Sequence, residues 1–594
     1  MRAVASLLFA ALLSCPAGDI PFLRGMGWSP WHATYGWGRP PEVVAQDYRF
    51  LADMHVNALR TWGPTKRASL EKQFEAHGLY MVPQVGGIKA PRMAFADGKS
   101  GHVVYAHPDS LEAMRERATA LAKDMAGARG LAALNLGNEY SWVGTNKKGH
   151  YQYQGFDKTT LTAFRRMLEK RFGTIANWQR LTGRKDKSFA DIIPPTGQNN
   201  SLLFWEWWRF QREVFGQYLR VGHEAVRAVA PDTPVTYALL CGNRWDAATE
   251  DADLPFLELQ GDNLYYNWDK SWVDYSVRLA RRIGPGRPAL ITETGINTQH
   301  CPDPAVAERL MRQMLWTLLM HTEVKGVFPF VYCDEWWHGK DPKAQDSSGD
   351  YWGILTADRK PKSTYQAVKQ TYAEWERLGE IIDTRESEIE LLVSDQVIDR
   401  WRGRSGPTVK QVCRQLYTHG VSFRLVSALR PSDLAATLCK RLLLLDSHLP
   451  DNPGGTSPMR DALRDFVAKG GEILCLSEKP FQALYGTPGP HGIKASVRTV
   501  DTPEAAWSQI QPFLPQRSLK VTAKGEILWR EFRAGDRRFV LLVASGSEPA
   551  RNVRLESPTG LSLVSSDARE LSSVIGGWTI AELPTHALFE IGVE

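Results

Sequence analysis

Cysteine is scarce, with seven residues in 594 and no Cys-x-x-Cys pair, which leaves a thiolate zinc site without support. Beyond the first 18 residues no stretch approaches the roughly 18 uncharged apolar residues needed to cross a bilayer, so no transmembrane segment is expected. Charge of one sign is also lacking. The 72 basic residues barely outnumber the 66 acidic ones and form no concentrated run, which argues against a nucleic-acid partner. No GxGxxG follows the first strand candidate, and no Gly-rich phosphate loop, internal repeat or low-complexity tract occurs. Neither a cofactor nor a metal is called for. What is present is an ordinary globular composition, 43% apolar and 23% charged, on a chain long enough for two to four domains. Tryptophan is abundant. Of the 21 indoles, 17 fall in the first 375 residues. Such flat, amphipathic rings stack on sugars, although most tryptophans in any protein are core.

Residues 1–18 read as a secretory signal peptide, with Arg2, an apolar core through Leu13, then Ser14-Cys15-Pro16-Ala17-Gly18. Leu12-Leu13-Ser14-Cys15 also resembles a lipoprotein signal in which Cys15 is lipidated. Export is therefore expected, to a periplasmic, extracellular or lipid-anchored location. The scattered later cysteines read as buried small hydrophobes. A Cys301–Cys333 disulfide stays open as an alternative in an oxidising compartment.

From residue 22 to about 375, apolar runs alternate with amphipathic stretches. Strand candidates are Met26–Trp28, Val56–Arg60, Tyr80–Val85, Leu131–Leu136, Pro234–Leu240, Gly261–Tyr266, Ala289–Thr292 and Gly326–Val331. Helices between them include Leu111–Met125, Phe204–Val229 and Ala305–His321. The pattern predicts parallel βαβ units, as a closed (β/α)8 TIM barrel over 19–380 or, alternatively, a doubly wound open sheet. Buried-strand runs at Ile389–Val393, Leu442–Leu445 and Ile473–Leu476 then predict a second, smaller α/β domain over 386–505. Alternating stretches from 515 to 594 predict a small antiparallel β domain of sandwich type.

Reactive groups of such barrels sit at the C-terminal strand ends. Two strands here end in glutamate, as Leu136-Gly137-Asn138-Glu139 at the fourth and Ile291-Thr292-Glu293 at the seventh. Acetal hydrolysis needs one carboxylic acid to protonate the leaving oxygen and a second carboxylate to attack or stabilise the anomeric carbon. Aromatic residues follow other strands: Trp28 the first, Trp62 the second, Trp268 the sixth, and Trp336 with Trp337 the eighth. Each is a sugar platform or simply core. Asp334 and Glu335 read as solvated or as hydroxyl partners. The helix around Trp205, Trp207 and Trp208 reads as packing, because its indoles cover more than one face.

At these residues the chain resembles a clan A glycoside hydrolase, in which Asn-Glu closes strand four and a second Glu closes strand seven. The resemblance implies that Glu139 is the general acid/base and Glu293 the nucleophile of a retaining β-glycosidase, with Asn138 on the sugar 2-hydroxyl. The segment Glu258 to Tyr265 is similar to the clan's acidic-x4-Asn-x-Tyr pattern, which implies that Asn263 lies in the site and that Tyr265 hydrogen-bonds the nucleophile. Arg60 matches the clan's arginine beside that nucleophile. Within the clan the closest likeness is to the family 42 β-galactosidases. It rests on Phe172–Trp178, on Arg209-Phe210-Gln211 leading to Pro231–Thr236, and on the order barrel, flavodoxin-like domain, β domain. With the leader, that likeness gives the expectation of a secreted exo-acting enzyme on an oligo- or polysaccharide, and the likeness itself implies a homotrimer built by the middle domain. The family's four-cysteine zinc cluster is absent, and the first ninety residues read more like clan members acting on β-glucans or β-mannans. A β-mannosidase, a β-glucosidase, an endo-acting hydrolase, a transglycosylase and a non-catalytic sugar-binding barrel are the alternatives.

Overall fold

Eight short apolar runs close into a barrel in the computed structural model. It describes residues 20–62, 74–197, 199, 201–241, 254–264, 272, 276, 288–321, 323–335, 351–379, 387–393, 408–445, 448–449, 451–476, 482–483, 485, 493–498, 500, 502–534, 536–545 and 548–592. Residues 1–18, which the sequence suggests are a leader, and Tyr265, Trp268, Trp336 and Trp337 lie outside these residues. The barrel strands are β1 (Leu23–Gly27), β2 (Ala58–Arg60), β3 (Tyr80–Val82), β4 (Leu134–Asn138), β5 (Val235–Cys241), β6 (Gln260–Leu264), β7 (Ala289–Thr294) and β8 (Val324–Pro329). They pair in parallel in the order 3-2-1-8-7-6-5-4. Bridges Met81–Leu131 and Gln84–Asn135 join β3 to β4, so the ring closes and the open-sheet alternative falls away. A closed ring leaves no strand edge unpaired. Leu23, Ala58, Val82, Ala133, Leu290 and Phe328 fill one layer of its interior. Gly25 has no side chain there because a Cβ would stand 2.2 Å from the Phe328 ring.

The outer helices follow from their caps and apolar stripes. They include α1 (Pro41–Asp53), α2 (Pro108–Met125), α3 (Leu202–Arg227), α4 (Pro304–Leu319) and α5 (Ser363–Leu378). Ser201 caps α3 by accepting the Phe204 N–H at 3.1 Å. Asp303 caps α4 by accepting from Ala305 and Val306, with Pro304 as its first helical residue. Trp205, Trp207 and Trp208 of α3 are fully buried, as a packing role requires. Among the described residues no helix is long and apolar enough to cross a membrane.

The middle domain is a five-stranded parallel sheet of β9 (Ile389–Val393), β10 (Phe423–Ser427), β11 (Arg441–Leu444), β12 (Glu472–Cys475) and β13 (Ser496–Val497). Its order, 10-9-11-12-13, is the 2-1-3-4-5 order of a flavodoxin-like sheet. The Glu206 carboxylate of α3 ties it to the barrel, accepting from Arg171 Nε at 2.8 Å and from the Tyr485 hydroxyl.

The C-terminal domain is two four-stranded antiparallel sheets facing each other across Leu542, Val553, Ile580 and Phe589. Its strand Arg537–Ser545 is buried on both faces, because Leu541 and Val543 turn away from that sandwich into the main core. The seam with the barrel runs along α4. Gln313 donates to the Pro584 carbonyl at 2.8 Å, and Trp316 stacks on His586 with ring centroids 3.9 Å apart. His586 in turn pairs with Glu374 of α5 at 3.2 Å.

Cys301 and Cys333 are both free thiols, so the disulfide left open by the sequence is not formed. The Cys333 thiol is instead committed to the Ser29 and Trp31 carbonyls, each at 3.2 Å, inside the packing behind the β1–α1 connection.

Candidate active site

Polar residues inside otherwise apolar strands mark where the barrel interior becomes a site. Asn135 interrupts Leu134 and Leu136, and its fully buried side chain is held on every polar atom. Its Nδ2 donates to Gln84 Oε1 at 3.1 Å, while its Oδ1 accepts the N–H groups of Gly137 and Ala238 at 3.2 and 3.1 Å. These bonds replace the ladder where β4 and β5 slip in register between Asn135 and Asn138. The irregular strand end then turns sharply. Gly137 is needed because a Cβ would meet the Tyr140 ring at 2.6 Å, and Glu139 itself adopts φ +50°. A non-glycine residue in that region costs about 1–2 kcal/mol. The Glu139 N–H, bonded to the Ala238 carbonyl at 2.9 Å, fixes it there.

Arg60 ends β2 fully buried and reaches across the interior. Its Nη1 donates to Glu293 Oε1 and to the Thr292 carbonyl, and its Nη2 donates to Asn138 Oδ1 at 2.6 Å and Gln84 Oε1 at 3.3 Å. Trp62, two residues on, donates its indole N–H to the same Glu293 oxygen at 2.9 Å, and the guanidinium lies 4.6 Å from its ring centroid. Glu293 is only 3% exposed. Beside it, the Thr294 hydroxyl contacts Met314 Sδ of α4 at 3.1 Å.

Asn263 of β6 joins this half of the site to the other. Its Oδ1 accepts the Thr292 hydroxyl at 2.7 Å, which fixes the amide orientation. Its Nδ2 then donates to Asn138 Oδ1 at 2.9 Å and to Glu139 Oε1 at 2.8 Å. With two donors on its Oδ1, Asn138 turns its own Nδ2 the other way. Burial, followed by the nearby Glu293 charge, pushes the Glu139 carboxyl up to about 7, against the opposing pull of Asn263 and Arg60. Glu139 is thus held partly protonated at neutral pH.

The fold therefore brings Arg60, Asn138, Glu139, Asn263 and Glu293 into one hydrogen-bonded cluster at the C-terminal end of the barrel. Trp28 lies beside it, 9% exposed, packed on Tyr332 and Tyr48 with Arg39 over its ring. Glu258, the acidic member of the strand-six pattern, is not in the cluster. It pairs with His223 at 3.1 Å and accepts the Val235 N–H, anchoring the start of β5. Asp334 is buried rather than solvated, and accepts from Lys362 at 2.9 Å and the Gly353 N–H at 2.8 Å. Gln84, Asn135 and Thr292 are the supporting residues that motif reading missed. Their signal was a polar side chain in an apolar strand run.

Removing the guanidinium should be costly. Arg60→Ala leaves the buried Glu293 carboxylate without its cation, and we expect stability to fall by about 3–5 kcal/mol in chemical denaturation. Arg60→Lys should recover part of that loss, because it restores charge without the fork that also holds Asn138 and Gln84.

Residues 82–376 match the glycoside hydrolase 42 family model, described as β-galactosidase. No curated protein matches the chain. Solved structures match along nearly its full length. The Gan42B β-galactosidase of G. stearothermophilus superposes with TM-score 0.70 at 12% identity, covering 97% of this chain and 98% of its own. The β-galactosidase of Bacillus circulans sp. alkalophilus gives 0.70 at 11%, covering 97% and 100%. An exo-carrageenase of family 42 from Bacteroides ovatus gives 0.62 at 12%, covering 96% and 80%. At such identities the structures establish the shared three-domain fold, and the family match adds the chemistry. The chain is a clan A, family 42-like glycoside hydrolase acting on O-glycosyl bonds.

Proposed function

We propose that the protein is an exported, retaining exo-β-glycosidase of β-galactosidase type working by double displacement. One observation carries this reading: the two carboxyls share a network that treats them oppositely. Arg60 and Trp62 both donate to Glu293 Oε1, whereas Glu139 is pushed up to about 7. That division suits a nucleophile and a general acid. A Glu293 oxygen attacks the anomeric carbon as the Glu139 proton passes to the glycosidic oxygen and the aglycone leaves. Glu139, now a carboxylate, takes a proton from water as that water attacks the same carbon and releases Glu293. Two inversions leave the sugar with its original β configuration. Asn138 Nδ2 is the donor offered to the sugar's 2-hydroxyl.

Exo action is supported by the walls of the mouth. Hairpin Arg92–Ala94/Ser100–Val103, after β3, packs on hairpin Val143–Thr145/Tyr151–Tyr153, after β4. Gln154 accepts the His102 N–H at 2.6 Å, and Lys147 donates its N–H to Asp97 at 2.7 Å. Loops interlocked in this way after two adjacent strands suit a walled pocket better than an open groove. The sequence of residues 1–18 supports export.

The test is a panel of aryl β-glycosides with product anomers followed by NMR. The β-galactoside should lead the panel, with β-galactose the first product. A lead for the mannoside or glucoside would reassign the sugar, and α-product appearing first would overturn the retaining mechanism.

A further inference from the structure

Among the described residues, eight large hydrophobic side chains are well exposed, and six of them are aliphatic, of which only Val574 and Ile575 are neighbours in the chain. The two aromatic ones, Tyr35 at 47% and Trp37 at 61% exposure, stand together on the β1–α1 connection. Every other exposed hydrophobic lies beyond residue 190.

That connection is firmly braced. Arg359, itself buried against Asp47, donates to the Pro30 and Trp31 carbonyls at 2.9 and 2.8 Å. The Ala33 N–H bonds the Ala357 carbonyl at 3.0 Å. His32 and Gly36 exchange backbone hydrogen bonds of 2.9 and 2.8 Å, making the tight turn that carries Tyr35 at its end. The His32 ring leans on Tyr35 with centroids 4.9 Å apart. A ring held as Tyr35 is held loses little conformational freedom on binding, which is how aromatic side chains contribute affinity at low entropic cost, and Trp37 follows two residues on along the same braced segment. The loop leaves the barrel at the catalytic end, where the Trp28 N–H bonds the Arg60 carbonyl at 2.7 Å.

We propose that Tyr35 and Trp37 form a stacking platform for sugar units on the leaving-group side of an oligo- or polysaccharide substrate. The proposal rests on the glycosidase reading above. In an exo-acting pocket the sugar being released occupies the closed interior, so whatever lies outside the mouth belongs to the departing chain. Two flat rings on either side of Gly36, with no exposed large aliphatic side chain near them in the chain among the described residues, suit the apolar faces of pyranose rings better than a protein partner.

The experiment compares the parent with Tyr35→Ala, Trp37→Ala and the double variant. Each is assayed on an aryl β-galactoside and on β-galacto-oligosaccharides of increasing length. Loss of one stacked ring should lower the ratio of kcat/KM for the longer oligosaccharides to that for the aryl glycoside about tenfold, mainly through KM. An unchanged ratio overturns the platform. So does a change in sedimentation, which would make the rings a contact between copies of the chain. If the parent cleaves no galactoside, the substrate reading has failed on its own, and gels cast with galactan, carrageenan, mannan or β-glucan decide the platform. Retardation of the parent that Trp37→Ala abolishes supports it, and migration of the parent unretarded in all four overturns it.

Discussion

Glu293→Gln should lower kcat by at least about 10⁴-fold on every O-glycoside the protein cleaves, because the substitution removes the attacking electron pair and little else. The amide is nearly isosteric, and its oxygen still accepts from Arg60 and Trp62 at the position of Glu293 Oε1. Folding should survive, because Arg60 and Trp62 keep their hydrogen bonds although Arg60 loses its counter-charge, and a single cooperative melt above the assay temperature would show that turnover is lost in a folded protein. Glu293→Gly makes a complementary case. It opens a small cavity beside Arg60 on the face of the sugar from which Glu293 attacks. Azide entering that cavity should restore turnover of an activated aryl glycoside and yield the α-glycosyl azide, the product of a single inversion. Parent-like activity in Glu293→Gln, or a β-azide from Glu293→Gly, would remove the assigned role.

Glu139→Gln should cost about 10²–10⁴-fold for substrates with poor leaving groups, the usual contribution of a general acid, and far less for activated aryl glycosides. The pH profile supplies an independent reading. Glu139 must hold its proton until the bond breaks, and its carboxyl is pushed up to about 7, so parent activity should fall as pH rises through that value. The variant should lack this limb. Stability moves in the same window. A carboxyl raised in the fold favours the folded state fully below its ordinary value near 4.5, and that contribution is lost as pH rises through about 7. Above neutrality the parent carries a poorly solvated charge that the amide does not. Glu139→Gln should therefore melt above the parent at pH 8 and alongside it at pH 4, and a gap of the same size at both values would contradict this origin.

Legibility in the sequence depended on whether a residue's role was local. The barrel could be read because each strand announces itself by its own apolar run, and Glu139 and Glu293 because each directly follows one. Arg60 was readable only through the clan resemblance, which places an arginine at the end of strand two. What binds them together was not. Asn263 fixes Glu139 only through the orientation that Thr292 imposes, and Gln84 supports Arg60 and Asn135 from a third strand. These are contacts between strands distant in the chain, which no spacing encodes. Trp62 was read as one of several aromatics around a sugar, but it contacts Glu293 through its N–H, a polarity that composition does not reveal. The solvated alternative for Asp334 fails because Lys362, 28 residues away, buries and pairs with it. The alternation read over 515–594 fails at Arg537–Ser545, because that strand is buried on both faces and its sequence is continuously apolar from Phe539 to Ala544.

The contact of Thr294 with Met314 and of neighbouring Gln313 with Pro584 sets the C-terminal domain one helix away from Glu293. A fragment trimmed to the barrel would bare Trp316 and leave Gln313 without its carbonyl immediately behind the strand that aims the nucleophile. The third domain is thus part of the enzyme's backing wall, and a shorter working version would have to rebuild that wall before its chemistry could be expected to survive.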